Sequence, residues 1–362
     1  MPNPALIKQV LLVFGKDYSE HREDLSAVYL SSDNYLWLGS DETSTIERLS
    51  KVDPEKFAEH KQFRVAEFID LPAPEEEEID IEGISYHDNY LWFVGSHSYK
   101  RKRVKPEKSD KKNFKRLATI ATEPNRYILG RIPLIDGELL SSSPDPDNSK
   151  VKLTAAKLEV TEQGNTLMEA LAEDSHLGAF IKAAIPGKDN GFDIEGIAVV
   201  QNRIFLGLRG PVLRGWAVML EIELEESAPG LLKLKEIGCD RELYRKHFIN
   251  LNGLGIRDLY LDGEDLLILA GPTMDLDGSI CVYSLENVIN LKGNTLTTPE
   301  IVIQIPHGNR DDRAEGITLF QDTCGETRLL IVYDSPSQTK RLVGESSVIA
   351  DVFEIGDWGL VT

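Results

Sequence analysis

The sequence contains two close copies of one hexapeptide, and this internal repeat constrains the fold more than any other feature. Residues 79–84 are Ile-Asp-Ile-Glu-Gly-Ile, and residues 192–197 are Phe-Asp-Ile-Glu-Gly-Ile. In both places the motif opens an apolar stretch, a polar turn follows, and a second apolar stretch ends near a glycine. Two apolar stretches around a short polar turn predict an antiparallel strand pair. Copies of such a unit predict a repeat architecture.

Weaker copies of the motif extend the repeat over the whole chain. The equivalent positions are Ser26, Glu82, Glu195, Arg257 and Glu315, with spacings of 56, 113, 62 and 58 residues, and 73 around the termini. Each interval has room for four strands. The last repeat has only three strand-like segments and lacks a fourth. The N-terminal strand at 9–14 has no nearby partner, so we expect it to complete that repeat. An all-β propeller is predicted, with five four-stranded blades. Six blades remain an alternative, because the 113-residue interval has room for a degenerate one.

Two insertions account for the long interval in the five-blade interpretation. The first, at about 98–124, carries a basic run, and the second, at about 136–190, carries two short helical patterns at 165–171 and 177–184. We expect residues 1–362 to form a single propeller domain, with both insertions over one face.

Composition narrows the class of partner. Lys and Arg number 40 against 60 Asp and Glu, a net charge of −20. A strongly acidic chain argues against nucleic acid or a membrane as the main partner. The three cysteines are widely spaced and form no metal-ligand pattern, as expected for reduced thiols in a cytoplasmic protein. No apolar run approaches the roughly 20 residues that span a bilayer.

The propeller architecture predicts where a site lies. The innermost strand of each blade begins on the face where the loop after the second strand emerges, so both kinds of loop converge around one mouth of the channel. The motif loops place on this face Asp24, Asp80, Glu82, Asp193, Glu195, Arg257, Asp258, Arg313 and Glu315. The exits of the second strands add Asp41, His97, Arg209, Arg214, Asp275, Asp277 and Asp334.

Two interpretations of the Asp-x-Glu-Gly motif stay open. A carboxylate at a strand start can accept backbone N–H bonds and tie one blade to the next. Alternatively, clustered carboxylates can hold Ca²⁺ or Mg²⁺ through oxygen ligands, and arginines can grip a carboxylate or phosphate. The second interpretation is favoured where the pattern breaks at Ser26, Arg257 and Arg313, because ties alone would not need both signs of charge.

The functional interpretation assigns roles to named residues. The candidate catalytic residues are Asp193, Glu195, Glu82, Glu315 and His97. The candidate ligand-binding residues are Arg209, Arg257, Arg313, Asp80 and Asp24. The candidate metal ligands, for Ca²⁺ or Mg²⁺, are Asp80, Glu82, Asp193 and Glu195.

The basic run from Lys100 to Arg116 has a net charge of +8, which leaves −28 for the rest of the chain. It is interpreted either as a solvated face or as a flap that draws an anionic ligand toward the mouth, since local fields act separately from net charge.

The two Asp-Ile-Glu-Gly-Ile copies, together with 314–317 (Ala-Glu-Gly-Ile) ahead of 331–335 (Ile-Val-Tyr-Asp-Ser), resemble an uncharacterised bacterial propeller family, domain of unknown function 3616. The resemblance covers nearly the whole chain. More distantly, the Asp-x-Glu-Gly element is similar to that of the esterase-like domain of phytase propellers, which implies ester or phosphoester hydrolysis.

Two classes of function follow. The first is a hydrolase of a small anionic ester or phosphoester, with its site at the channel mouth. The second is a non-catalytic propeller that binds a ligand or a protein partner on its capped face, or on its rim if the insertions plug the mouth.

Overall fold

The fold is all-β, as the repeat predicts. The computed structural model describes residues 6–274, 276–308, 311–322 and 324–355. No helix in these ranges has the length and apolar character needed to cross a membrane.

The first part of the chain contains the following strands: β1 (Leu6–Val13), β2 (Leu25–Leu30), β3 (Tyr35–Ser40), β4 (Thr45–Asp53), β5 (Lys56–Arg64), β6 (Ile81–His87), β7 (Tyr90–Gly95), β8 (Lys100–Arg101), β9 (Ile120–Ala121), β10 (Leu129–Ile135), β11 (Glu138–Leu139), β12 (Ser142–Pro144), β13 (Lys152–Thr154), β14 (Ala156–Leu158), β15 (Val160–Thr161) and β16 (Gly164–Asn165). The α-helices are α1 (Asp110–Leu117), α2 (Thr166–Ala172) and α3 (Gly178–Lys182).

The second part contains these strands: β17 (Asp193–Val200), β18 (Arg203–Gly210), β19 (Trp216–Ala228), β20 (Leu231–Lys235), β21 (Arg245–Asn250), β22 (Gly255–Asp262), β23 (Asp265–Gly271), β24 (Ile280–Leu285), β25 (Thr295–Thr297), β26 (Glu300–Ile305), β27 (Arg313–Gln321), β28 (Thr327–Asp334), β29 (Leu342–Val343) and β30 (Ser347–Glu354). Short 3-10 helices lie at Lys16–Glu23, Val65–Glu67, Pro124–Tyr127 and Val288–Asn290.

The long strands form antiparallel groups of four. The groups are β2-β3-β4-β5, β6-β7-β10-β14, β17-β18-β19-β20, β22-β23-β24-β26 and β27-β28-β30-β1. Strand β1 pairs with β30, which is the partner predicted for the N-terminal strand. Two parallel pairings were not predicted: β1 with β5, and β14 with β20. Each joins the outer edges of neighbouring groups, so that fewer edges are left open. Strand β14 lies inside the segment 136–190 that the sequence analysis treats as an insertion.

The innermost strands of the groups close a ring. Strand β2 contacts β6, β6 contacts β17, β17 contacts β22, β22 contacts β27, and β27 contacts β2 again. The architecture is therefore propeller-like, and every innermost strand faces the same central channel.

The hydrophobic core lies between neighbouring groups rather than at the channel. Trp37 and Phe63 of the first group pack in one cluster with Phe93 of the second. Val10 and Leu12 of β1 pack with Leu38 of the first group. The strands are apolar on both faces because both faces are covered by a neighbour. Polar side chains in the innermost strands are thereby left to the channel.

A β-bulge interrupts each innermost strand at the motif. The register shifts fall between Leu25 and Ala27, Ile81 and Gly83, Ile194 and Ile197, Ile256 and Asp258, and Ala314 and Gly316. The bulged segments contain the equivalent positions Ser26, Glu82, Glu195, Arg257 and Glu315. A bulge leaves one residue out of the ladder and re-aims its side chain. The repeat therefore presents the same position at the channel in every group.

A buried charge at the outer side of the first group leads to a pH prediction. Glu47 in β4 is 1% exposed, and its carboxylate accepts hydrogen bonds from His21, His60 and Thr45. Burial raises the pKa of Glu47, but these hydrogen bonds outweigh burial and lower it to about 2. A carboxyl whose folded pKa is depressed stabilises the protein above its unfolded pKa, and that stabilisation is lost as pH falls toward 2.

Glu47→Gln is expected to reduce the free energy of unfolding by about 3 kcal/mol at pH 7 and by much less near pH 3. Denaturant titrations at the two pH values measure the difference. Glu55→Gln, at an exposed position of the β4–β5 turn, is the matched control and should change little. A Glu47→Gln effect that does not depend on pH would contradict the prediction.

Candidate functional site

The channel centre is lined by charged side chains from the bulges. Glu82, Glu195, Arg257 and Glu315 are all less than 9% exposed. Ser26, at the fifth equivalent position, is also buried and donates a hydrogen bond to the backbone oxygen of Ile81. Strand entries and second-strand exits meet here as predicted: Asp24 and Asp334 form an isolated β-bridge, and the Ile194 amide donates to the oxygen of Ser96 at 2.8 Å.

One side of the centre is a neutralised network of arginines and glutamates. Arg209 forms an ion pair with Glu195, and Arg257 forms one with Glu315. Arg257 Nη1 also lies 3.3 Å from Glu195 Oε2, so one guanidinium bridges two motif glutamates. Burial raises the pKa of Glu315, but Arg257 and Arg209 outweigh burial and hold it below its ordinary value.

The two arginines also hold the loop after β23. Arg209 Nε donates to the oxygen of Thr273 at 3.0 Å, and Arg257 Nη2 donates to that of Pro272 at 2.9 Å. The same two arginines line a cavity together with Met274 and other residues of the channel mouth. The sequence suggested arginines that grip an external anion, whereas the hydrogen bonds described here go to glutamates and carbonyls of the chain itself.

The opposite side of the centre is an acidic cluster of Asp41, Asp80 and Glu82. One carboxylate oxygen from each lies within 4.8 Å of the others. Asp41 directly follows β3, whereas Asp80 directly precedes β6 and has a φ of +60°, which is uncommon for a residue other than glycine. Two neighbouring groups therefore supply the three side chains, which we call the acidic cluster.

The acidic cluster has little positive charge to balance it. Asp80 Oδ2 lies 2.8 Å from Arg126 Nη1. Within the described ranges, Glu82 forms neither a hydrogen bond nor an ion pair. Asp41 Oδ1 is buried and has no hydrogen-bond partner among the same residues. A buried carboxylate without a partner is costly, so the cluster calls for protons or a cation.

The pKa values reflect this excess of negative charge. Burial, followed by the charges of Asp80 and Glu195, raises the pKa of Glu82 well above its ordinary value. Burial, followed by the charges of Asp334 and Asp80, does the same for Asp41. The pKa of Asp193 rises to about 8 through burial and the charge of Glu195, which together outweigh the lowering effect of Arg209. Without a bound cation Asp193 is therefore largely protonated at neutral pH, and the pKa values of Glu82 and Asp41 shift in the same direction.

Lys188 supplies positive charge to the channel carboxyls. Burial raises the pKa of the five channel carboxyls it acts on, and the Lys188 ammonium opposes that rise. These carboxyls belong to Asp41, Asp80, Asp193, Glu315 and Asp334. Since they come from four of the strand groups, the ammonium acts on the centre and not on one neighbour.

A tight turn holds Lys188 there. The Gly187 amide donates to the oxygen of Tyr99 at 3.1 Å, and the Gly191 amide donates to that of Pro186 at 3.0 Å. A Cβ added at Gly187 would lie 2.2 Å from Asp193 Oδ2, so only glycine allows this approach. Lys188 was not among the site residues predicted from the sequence. The available signal was a lysine inside a glycine-flanked turn directly before the motif.

Arg126 was also missed. It lies in the 3-10 helix Pro124–Tyr127, is 6% exposed, and pairs with Glu78 and Glu123 as well as with Asp80. Nothing in the sequence connects it to the motif, because it enters from the segment between β9 and β10.

The remaining candidates lie in different surroundings. His97 is buried, and its ring nitrogens bond to the oxygen of Gly95 and to the Asn165 amide, each at 2.7 Å. Burial lowers the pKa of His97 to about 4, so the ring is neutral at pH 7. Asp24 is half-buried, and burial together with the charge of Asp334 raises its pKa to about 6. Arg313 Nη1 lies 3.8 Å from Asp334 Oδ2.

Three further residues were predicted to lie at the channel mouth. Arg214 is exposed, and Asp277 lies 3.6 Å from the ring of His307. Asp275 lies outside the described residues.

The hydrogen bonds from backbone amides that link neighbouring groups go to side chains other than the motif glutamates. Asp258 accepts the amides of Leu259 and of Ile317 in the next group, each at 2.8 Å. Ser85 accepts the Val199 amide at 3.2 Å, and Thr318 accepts the Leu30 amide at 3.1 Å. No backbone N–H bond reaches the side chains of Glu82, Glu195 or Glu315 in the described part of the chain. A tie through backbone N–H bonds is therefore wrong for these glutamates, although Glu195 and Glu315 are linked to the group between them by ion pairs with Arg257.

The fold and site define a propeller-like protein with a carboxylate-rich centre. The chain belongs to the family described as protein of unknown function (DUF3616), which it matches over residues 24–351. No curated protein matches it.

Several solved structures are similar in fold. An α-L-arabinofuranosidase from Lactobacillus brevis is 10% identical, with a TM-score of 0.41 and 94% of each chain covered. An exo-1,5-α-L-arabinanase from a bovine ruminal metagenomic library is 10% identical, with a TM-score of 0.39, 91% of this chain and 92% of that chain covered. A catalytically inactive virginiamycin B lyase from Staphylococcus aureus, with quinupristin, is 14% identical, with a TM-score of 0.34, 91% of this chain and 80% of that chain covered. Among further solved structures that match, this chain spans from 65% to 99% of the length of the other chain.

Proposed function

We propose that the protein is a hydrolase of a small anionic ester or phosphoester that works with a divalent cation, Ca²⁺ or Mg²⁺, at the channel mouth. The observation that supports this most is the acidic cluster of Asp41, Asp80 and Glu82, with carboxylate oxygens within 4.8 Å and a buried, unpartnered oxygen on Asp41. Hard cations prefer oxygen ligands of this kind. Asp193 and Glu195, the other ligands predicted from the sequence, lie outside this cluster.

The surrounding charges suit an anionic substrate. When bound, the cation polarises the substrate and lowers the pKa of a water molecule. Lys188 balances the negative charge of the substrate. In the hydrolytic step the water oxygen forms a bond to the phosphorus or acyl carbon, and the bond to the leaving oxygen breaks. The water passes a proton to an ionised carboxylate. Asp193, protonated at neutral pH because its pKa is about 8, gives a proton to the leaving alcohol.

The test begins with binding. Chelator-stripped protein is titrated calorimetrically with Ca²⁺, Mg²⁺ and Mn²⁺, and then assayed with nitrophenyl esters and phosphoesters. We expect saturable binding of one cation, lost in Asp80→Asn and Glu82→Gln but kept in Glu264→Gln, an exposed carboxylate outside the acidic cluster. Lys188→Met should keep cation binding and lose turnover. The proposal would be contradicted if none of the three cations bound.

A second candidate function is a non-catalytic module that binds a small anionic ligand or a protein partner. It is favoured by the cavity at the channel mouth that Arg209 and Arg257 line. The described hydrogen bonds of both arginines go to glutamates and carbonyls of the chain. Cation binding without turnover on any ester of the panel would select this function.

We also propose the finer features of the fold. Five four-stranded blades in a single domain over 1–362, with insertions at about 98–124 and 136–190, are supported by the ring of innermost strands. The phytase-like relationship, a bacterial source and a cytoplasmic location remain part of the same proposal.

A further inference from the structure

One exposed unit of the molecule forms no ion pair with the channel carboxylates among the described residues, although burial raises the pKa of Asp24 and the charge of Arg103 opposes that rise. It consists of residues 100–121, which comprise β8, α1 and β9, and we call it the basic arm. The large apolar side chains in this unit with substantial exposure are Val104 at 48%, Phe114 at 71%, Leu117 at 44% and Ile120 at 41%. None of these four belongs to a core cluster. Phe114 and Leu117 are three residues apart on α1 and so share a face of the helix.

The exposure belongs to a folded unit. The Asn113 side chain accepts the Lys105 amide at 3.1 Å and donates to the oxygens of Lys105 and Lys108. Arg116 Nε donates to the oxygen of Arg103 at 2.5 Å. These bonds fold the loop before α1 back onto the helix, so Phe114 is presented to solvent by a defined local structure.

The basic arm has far more positive charge than the rest of the protein neutralises. At its base, Lys100 pairs with Glu78 at 2.5 Å and Arg101 pairs with Asp189 at 2.7 Å. The other basic residues have no carboxylate within ion-pair distance among the described residues. They are Lys102, Arg103, Lys105, Lys108, Lys111, Lys112, Lys115 and Arg116.

We propose that the basic arm docks on an anionic phospholipid surface. Its apolar and basic residues are interleaved: Val104 lies between two basic residues, and Phe114 directly precedes Lys115. A bilayer interface takes such a pattern directly, because apolar side chains enter the boundary while lysines reach the headgroups. An acidic protein surface would need a matched pocket for each apolar residue.

The net charge of −20 argued against a membrane as the main partner, and the basic arm is an exception to that expectation. Net charge averages over the molecule, whereas at physiological ionic strength the field of a charge decays over roughly 8 Å. An exposed arm with a charge of +8 is therefore attracted to anionic headgroups even though the remaining chain carries −28.

The test is co-sedimentation of the full-length protein with phosphatidylcholine vesicles that contain either no or about 30% phosphatidylserine. We expect binding only to the anionic vesicles, weakened by high salt. Phe114→Ser, and separately the triple change Lys111→Glu, Lys112→Glu and Lys115→Glu, should each weaken it by at least about tenfold. The matched controls Leu296→Ser and Lys150→Glu, at exposed positions elsewhere, should bind as the wild type does.

Several outcomes would overturn the inference. One is no binding to either vesicle. Another is sedimentation-velocity evidence of a dimer that Phe114→Ser dissolves, which would make a second copy of this chain the occupant. A third is equal binding to a single-stranded RNA that Phe114→Ser leaves unchanged. Thermal melts of each variant show whether it has kept its fold.

Discussion

Glu82→Gln is expected to stabilise the metal-free protein and to abolish cation binding. Burial and the neighbouring carboxylates raise the pKa of Glu82, so the folded protein holds a proton that the unfolded chain releases above pH 4 to 5. The folded state then binds more protons than the unfolded one. The free energy of unfolding therefore falls as pH rises from the unfolded pKa of Glu82 to its higher folded pKa. Gln keeps the shape without the charge. In chelator at pH 8, the expected gain is about 1 to 3 kcal/mol in the free energy of unfolding.

Denaturant titrations at pH 4 and pH 8 measure this gain, and it should nearly vanish at pH 4, below the unfolded pKa of Glu82. With a saturating cation the order should reverse, because ligand binding stabilises only the protein that binds it. Glu264→Gln, outside the acidic cluster, should follow the wild type in every condition. A Glu82→Gln protein that is less stable in chelator and retains cation affinity would contradict the charge assignment of the acidic cluster.

Arg257→Met is expected to cost about 3 to 5 kcal/mol of folding stability. Its guanidinium pairs with Glu315 and lies 3.3 Å from Glu195 Oε2, and all three side chains are buried. Removing the bridge leaves two buried carboxylates with Arg209 as their nearest cation. Unfolding in urea measures the loss.

Two comparisons isolate the cause. Arg241→Met removes an exposed arginine that lies 3.3 Å from Glu236, and it should cost no more than about 1 kcal/mol. The double variant Arg257→Met with Glu315→Gln should recover part of the loss, because one of the stranded charges is gone. If the double variant were less stable than Arg257→Met alone, the charge explanation would be wrong.

The sequence predicted the elements well because its signals are local. Alternation of apolar and polar residues around a turn defines a strand pair, and β6-β7 and β17-β18 begin at the two Asp-Ile-Glu-Gly-Ile copies. The incomplete last repeat and the unpaired N-terminal segment also predicted the pairing of β1 with β30. The equivalent positions Ser26, Glu82, Glu195, Arg257 and Glu315 all fall at the bulges, so the repeat located the residues that face the channel.

The roles of those residues were less accessible. The sequence left open whether the motif glutamates tie the groups together by accepting backbone N–H bonds, and such bonds go instead to Asp258, Ser85 and Thr318. His97 was chosen as the histidine of the mouth, but its ring is enclosed by Gly95 and Asn165. A residue type and its place in a repeat do not reveal which neighbour its polar atoms meet.

By itself, then, the sequence determined an all-β repeat with one equivalent position per repeat, because strand periodicity and turns act over a few residues. Only the tertiary structure decided which charges meet. Arg209 and Arg257 neutralise Glu195 and Glu315, whereas Glu82 and Asp41 are left without such partners. Arg126 enters from the segment between β9 and β10, and Lys188 from the turn directly before the second copy of the motif. The physical reason is that electrostatic energy depends on distances across the channel and on burial, and closure of the ring sets both.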